Sequence, residues 1–153
     1  MKIMLNLFLK CSLSLILITG INGVIIGDCG SDLGQFTSVT VTNCTDSMTT
    51  CNLKVGTNVS LSADFHTKAN ISKIVVKVYG IILGAEVPFP IPNPDGCLNS
   101  GLVCPLAADH NFTYTATLHV SRTYPHIAVT VKWVLLNEVS KPIICMLIPA
   151  KIV

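Results

Sequence analysis

Apolar and polar residues alternate with a period of two along most of this chain, the pattern of strands that turn one side to a core and the other to water. The clearest run is residues 111–120. Phe112, Tyr114, Ala116, Leu118 and Val120 fall on one side, and Asn111, Thr113, Thr115, Thr117 and His119 on the other. Over residues 58–65 the inward set is Val59, Leu61, Ala63 and Phe65, leaving Asn58, Ser60, Ser62 and Asp64 to water. Within residues 73–83, Ile74, Val76, Val78, Gly80 and Ile82 alternate with Val75, Lys77 and Tyr79. Residues 126–136 place Ile127, Val129, Val131, Trp133 and Leu135 on one face. Residues 36–42, with Val39 and Val41 together, and the apolar run 143–148 complete the set. No stretch carries a convincing helical period, and there is no internal repeat or linker.

Residues 85–105 break this pattern. Val87-Pro88-Phe89-Pro90-Ile91-Pro92 has a proline at every second position, which excludes helix and holds the backbone extended, as polyproline II or as an edge strand. Val87, Phe89 and Ile91 are then expected to point the same way. Such a stiff apolar row suits the rim of an apolar cavity; the plainer reading is a core edge whose prolines block edge-to-edge pairing. Asn93-Pro94-Asp95-Gly96 reads as a turn, with Gly96 expected at positive φ.

About seven strands in some 130 residues predict an all-β, immunoglobulin-like two-sheet β-sandwich. The cysteines do not have the Cys…Trp…Cys spacing of an immunoglobulin core, and the chain holds a single tryptophan, Trp133. The chain has 153 residues, half of them hydrophobic and 12% charged, enough for one domain with a substantial core. Some of that hydrophobicity belongs to residues 1–23, which read as a secretory signal: Lys2, an apolar stretch ending in Leu13-Ser14-Leu15-Ile16-Leu17-Ile18, then Gly20 or Gly23 for cleavage. Lys10 interrupts the stretch and leaves it too short to span a bilayer. Residues 24–153 are then the mature domain, with eight basic against eight acidic residues and no net formal charge. The absence of a basic run argues against nucleic acid and against a charge-driven membrane anchor.

Loss of Cys11 with the signal leaves Cys29, Cys44, Cys51, Cys97, Cys104 and Cys145. An even number in a secreted chain implies disulfides, with 15 possible connectivities. Cys44 with Cys51 and Cys97 with Cys104 each bracket a short, turn-rich segment, which leaves Cys29 with Cys145 to tie the two ends together. No C-x-x-C or paired Cys/His spacing supports a metal site, and no cofactor is expected. Sequons at Asn43, Asn58, Asn70 and Asn111 agree with export and predict exposed, glycosylated asparagines.

Nothing in the chain assembles a nucleophile, a base and an orienting group. There is no G-x-S-x-G, no H-E-x-x-H and no phosphate-cradling glycine loop. His66, His110, His119 and His126 fall at strand ends or on an outward face, and the acids are scattered. The sequence therefore points to binding and not to catalysis.

The run from Val87 to Cys97, V-P-F-P-I-P-N-P-D-G-C, followed by Cys104-Pro105, closely resembles the ML lipid-recognition family and, within it, the branch of soluble cholesterol-transfer proteins. Asp28-Cys29-Gly30, Tyr124-Pro125 before the strand ending in Trp133, and Cys145 with Ile148-Pro149 extend the resemblance over the mature chain. It implies a seven-stranded sandwich with a sterol pocket between the sheets, and disulfides Cys29–Cys145, Cys44–Cys51 and Cys97–Cys104. It also places the sterol contacts at Phe89, Val120 and Tyr124, with Val87, Ile91 and Trp133 as further ligand-binding candidates. Two departures bear on the pocket: Glu86 places a charge near the expected mouth, and Met146-Leu147 replaces the family's aromatic and acid after Cys145.

The resulting expectation is a secreted monomer that binds and transfers a sterol or fatty-acid-like lipid without chemistry, working at a membrane surface or with a lipid-accepting membrane protein. It would reside outside the cell or in the lysosomal lumen. The alternative is a recognition protein or semiochemical carrier that presents fatty acid or microbial lipid to a receptor. The apolar Ile81-Ile82-Leu83 turn suits a membrane or a partner.

Overall fold

The computed structural model describes residues 24–45 and 47–153, so the expected secretory signal and Cys11 lie outside the described residues. Among the described residues the chain forms nine strands: β1 (Gly27–Asp28), β2 (Gly34–Val41), β3 (Cys51–Leu53), β4 (Asn58–Thr67), β5 (Val75–Ile82), β6 (Ala85–Phe89), β7 (Asn111–His119), β8 (Ala128–Leu136) and β9 (Pro142–Ile152). They make two sheets. The larger runs β1-β9-β8-β5-β6, with β3 added in parallel to β9; the smaller is β2-β4-β7.

Six of the nine, β2, β4, β5, β7, β8 and β9, coincide with the strands expected from the pattern, and β6 takes the edge-strand form of the two expected for the proline run. The other two, β1 and β3, are two and three residues long, too short to show alternation. Pairing to β9 creates them: Gly27 and Asp28 face Leu147 and Met146, and Cys51 to Leu53 face Ala150 to Ile152. Pro149 sits on β9 between these two partners. An imide nitrogen cannot donate to a ladder, and here it falls where the strand exchanges one neighbour for the other.

The inward faces meet as the alternation requires. Leu61, Ala63, Phe65 and Tyr114 of the smaller sheet are buried against Val76, Val78, Trp133, Leu135, Ile144 and Met146 of the larger. Tyr114 and Trp133 meet edge-on, with ring centroids 6.3 Å apart. The outer side of β4 and β7 carries exposed polar residues, bridged by Ser60–Thr117 at 2.9 Å and Thr113–Asp64 at 2.6 Å. Three disulfides, Cys29–Cys145, Cys44–Cys51 and Cys97–Cys104, tie the sandwich.

The proline run is an edge strand only as far as Phe89. Val87 and Phe89 face Gly80 and Val78 of β5, and Pro88 occupies an edge position, where a missing N–H is tolerated. Beyond Phe89 the chain leaves the sheet, so Ile91 does not continue the row of Val87 and Phe89. The turn that follows corrects a second expectation, because Gly96 is not among the residues at positive φ. Glycine is required there by contact. A Cβ would overlap the buried Ile74 side chain, while Gly96 N–H donates to the Ile74 carbonyl at 2.9 Å and Val76 N–H to that of Pro94 at 2.8 Å. Gly96→Ala is expected to lower stability by about 1–3 kcal/mol through overpacking, read as a shift of the denaturant midpoint at unchanged slope.

Candidate functional site: an apolar cavity between the sheets

The two sheets enclose an apolar cavity of about 240 Å³ at the end of the sandwich marked by the β5–β6 hairpin. The larger sheet contributes Val78, Gly80, Ile82, Val87, Phe89, Val129, Val131 and Ile152; Leu118 and Val120 line the opposite side, and Tyr124, Pro125 and Ile127 close one end. None of the lining residues carries a charge. A second void, of about 40 Å³, lies further in beside Val59, Leu61, Trp133 and Ile148, and shares Leu53, Leu118, Val120 and Val131 with the first. The two voids thus form one row between the sheets.

Rigid segments position the two aromatic residues of the rim. Phe89 ends β6, held by the adjoining prolines, and its ring meets Tyr124 edge-on with centroids 5.4 Å apart. Tyr124 lies in a bend whose N–H donates to the Ser121 carbonyl, and the Arg122 stem lies where a Cβ on Gly56, at φ 76°, would stand. Val120 is 3% exposed and fastened on both sides: its N–H donates to Thr57 O at 2.9 Å and its carbonyl accepts from Gly56 N–H at 2.6 Å.

Four of the six sequence candidates, Val87, Phe89, Val120 and Tyr124, therefore meet at the outer cavity, and Trp133 borders the inner void. Ile91 lines neither void: it borders a small cleft of about 70 Å³ with Tyr114, Asn99 and Trp133, and an open recess that it shares with Phe89 and Val78. Glu86 leaves the mouth uncharged. It alternates to the outer face of the larger sheet, where its carboxylate accepts from Lys132 Nζ at 2.7 Å, and Lys132 lies over the Tyr79 ring at 5.6 Å. Met146, fully buried opposite Trp133, packs into the core and is not a cavity residue. Sequence reasoning placed Leu118, Val129 and Val131 inward without naming them as site residues, although parity with Val120 and Trp133 marked them. Leu53 and Ile152 carried no such signal, because their position follows from the parallel β3–β9 pairing.

Apart from Tyr124 at the rim, titratable groups are kept behind the cavity wall or on the outside. Burial pushes the Tyr114 phenol up to about 12, with the neighbouring Trp133 acting in the opposite sense. The four histidines lie outside the cavity: His66 and His119 bond the Oδ1 atoms of Asn111 and Asn58, His110 bonds the Ala108 carbonyl, and His126 is exposed. All four sequon asparagines are exposed. A groove of about 480 Å³ on the outer face of the smaller sheet, lined by Thr40, Thr42, Ser60, Ser62, Thr115 and Thr117 among others, is open and hydroxylated. It does not suit an apolar ligand.

An uncharged cavity between two sheets, rimmed by this proline run and held by three disulfides, is matched by a known family. A family model described as an ML domain fits residues 23–152. The chain belongs to the ML-domain family. It is 47% identical over 125 residues, 82% of this chain and 84% of the relative, to the NPC intracellular cholesterol transporter 2 homolog a of Drosophila melanogaster. It is 36% identical, over 82% of each chain, to the NPC intracellular cholesterol transporter 2 of Canis lupus familiaris. Among solved structures it resembles a Niemann-Pick type C2 protein from the Japanese carpenter ant, with a TM-score of 0.81, 30% identity, and coverage of 84% of this chain and 99% of that one. At these identities the strands of the sandwich and its disulfide-tied core are those of an ML domain.

Proposed function

We propose that this protein is a secreted carrier that holds a sterol or similar lipid between its sheets and passes it between membranes, with no chemical step. The observation that carries this reading is the uncharged cavity running from the Phe89–Tyr124 rim to Trp133. Relatives named as cholesterol transporters support the ligand class. Burial of roughly 400 Å² of apolar ligand surface at about 25 cal/mol per Å² gives on the order of 10 kcal/mol, from which the cost of ordering is subtracted. The two voids together fall below the roughly 300 Å³ at which ligand pockets begin, so loading parts the sheets or swings the Phe89–Tyr124 pair. Such a device favours release as well as uptake.

Export is supported by the six described cysteines, all paired, as expected of an oxidising compartment. The exposed sequon asparagines suit glycans, and attached glycans would direct the protein either to the lysosomal lumen or to the extracellular space. A membrane is the partner that suits the hairpin tip. Ile82 faces Ala85 across a two-residue turn, Leu83 and Gly84 both have positive φ, and Leu83 is fully exposed beside a half-exposed Val87. A bulky apolar residue held in the left-handed region and in water is strained twice over, and insertion into a bilayer relieves the second cost.

Transfer of a labelled sterol from donor to acceptor vesicles tests the reading: the protein is expected to accelerate transfer in proportion to its concentration. Leu83→Asp is expected to slow transfer about tenfold while leaving equilibrium binding unchanged. Binding without any acceleration of transfer would instead favour presentation to a receptor.

A further inference from the structure

The wall of the cavity carries a glycine that the fold does not require. Among the described residues Gly80 is the one glycine in the interior of a strand, since Gly27 and Gly34 begin β1 and β2. It is paired in unbroken register to Val87 of β6 and Val131 of β8, and its φ lies outside the left-handed region that favours glycine. Gly34 is fixed by its surroundings, because a Cβ there would stand 2.8 Å from the His66 carbonyl oxygen. Beyond its chain neighbours, the one heavy atom that a Cβ on Gly80 would meet within 4 Å is Val129 Cγ2, at 3.3 Å, and Val129 is itself a cavity residue. A glycine inside a strand destabilises it relative to alanine and often marks the close approach of a ligand. Val78 and Ile82 lie before and after Gly80 on the same face of β5, Val87 and Val131 flank it from the adjoining strands, and all four line the cavity with it. The missing side chain therefore leaves a notch about one methyl deep in a wall of branched side chains.

Resting on the carrier reading above, we propose that the Gly80 notch receives an angular methyl group of a fused-ring sterol, and that Gly80 thereby makes the site selective for sterols over straight-chain lipids. A sterol nucleus is a rigid plate with methyl groups standing up from one face at two ring junctions. A continuous wall of valines would hold that face off by the height of a methyl. A gap between branched side chains lets it lie against the larger sheet, with its smooth face toward Leu118 and Val120 on the opposite side. An acyl chain has no projecting group to place in the notch, and it bends round a filled one. In a close-fitting apolar pocket one methyl group changes affinity about tenfold or more, enough to separate the two classes of lipid.

The test is equilibrium binding, with bound lipid quantified by mass spectrometry, of four ligands to the wild type and to Gly80→Ala: cholesterol, its 18-nor and 19-nor analogues, each lacking one angular methyl, and palmitic acid. Wild-type protein is expected to bind cholesterol about tenfold more tightly than one of the two analogues, a comparison that needs no variant to fold. Gly80→Ala is expected to weaken cholesterol about tenfold, to bind that same analogue at least as tightly as the wild type does, and to leave palmitic acid within about twofold. Recovery of affinity when the ligand loses the methyl that the protein has gained is a result that general damage to the sheet would not produce. Equal binding of the three sterols by the wild type, cholesterol binding untouched by Gly80→Ala, or equal loss of sterols and palmitic acid would each overturn the proposal while leaving the carrier intact; the last would mean that Gly80 serves only the packing of Val129. Failure of the wild type to bind either cholesterol or palmitic acid would overturn the carrier reading itself.

Discussion

Removing the Cys29–Cys145 disulfide, by replacing both cysteines with alanine, is expected to cost about 4–5 kcal/mol of stability. The bond joins positions 116 residues apart, and the entropy withheld from the unfolded chain grows with the logarithm of the loop closed. The two short disulfides each span seven residues, and the same relation gives them about 2–3 kcal/mol. Local structure makes the difference larger. β1 is held to β9 by two residue pairs and by the Cys29 N–H bond to the Cys145 carbonyl at 3.1 Å, and beyond it Ser31 Oγ accepts from Cys145 N–H while Asp32 and Leu33 N–H donate to the Pro142 carbonyl, so without the disulfide a few hydrogen bonds alone keep the N-terminal segment on the sheet. Against a total of about 5–15 kcal/mol for a domain, this loss leaves the protein marginal. Guanidinium unfolding of the oxidised wild type and the double variant checks it. Midpoints within experimental error of each other would show that the sandwich holds itself together without the bond.

The second large effect concerns the ligand. Val120→Phe is expected to weaken sterol binding a hundredfold or more while the fold persists. Val120 lines both voids and is anchored through its own N–H and carbonyl, so a larger side chain cannot withdraw and must occupy the junction between them. Overpacking costs about 1–3 kcal/mol where a core is full; here part of the new ring enters existing space, and the stability change falls at the low end of that range. Affinity measured with a labelled sterol, alongside the denaturant midpoint, separates the two effects. A variant that binds normally would show that the ligand does not pass Val120.

Much of this was legible in the sequence because period-two alternation is a direct image of burial on one face. The inward sets of β4, β5, β7 and β8 were read residue by residue. The proline run announced a rigid extended segment, polyproline II or edge strand, and the short cysteine spacings announced their own pairs. Illegible features share one cause: they depend on neighbours distant in the chain. β1 and β3 exist because β9 offers them an edge. Ile91 leaves the row because β5 pairs with β6 only to Phe89, and Gly96 is fixed by the side chain of Ile74, not by its own φ. Glu86 looked like a charge at the mouth because the local pattern could not show that Lys132, from β8, awaited it on the outer face.

The central claim is that the space between the sheets is a lipid site, and native mass spectrometry with lipid extraction, on protein secreted from its own kind of cell, tests it most directly. The expected result is one sterol or fatty-acid-like molecule per chain, lost on delipidation, regained on incubation with the same lipid, and absent from Val120→Phe. An empty, folded wild-type protein that also refuses labelled sterol would contradict the claim, and would mean that the inward faces close on one another without a ligand.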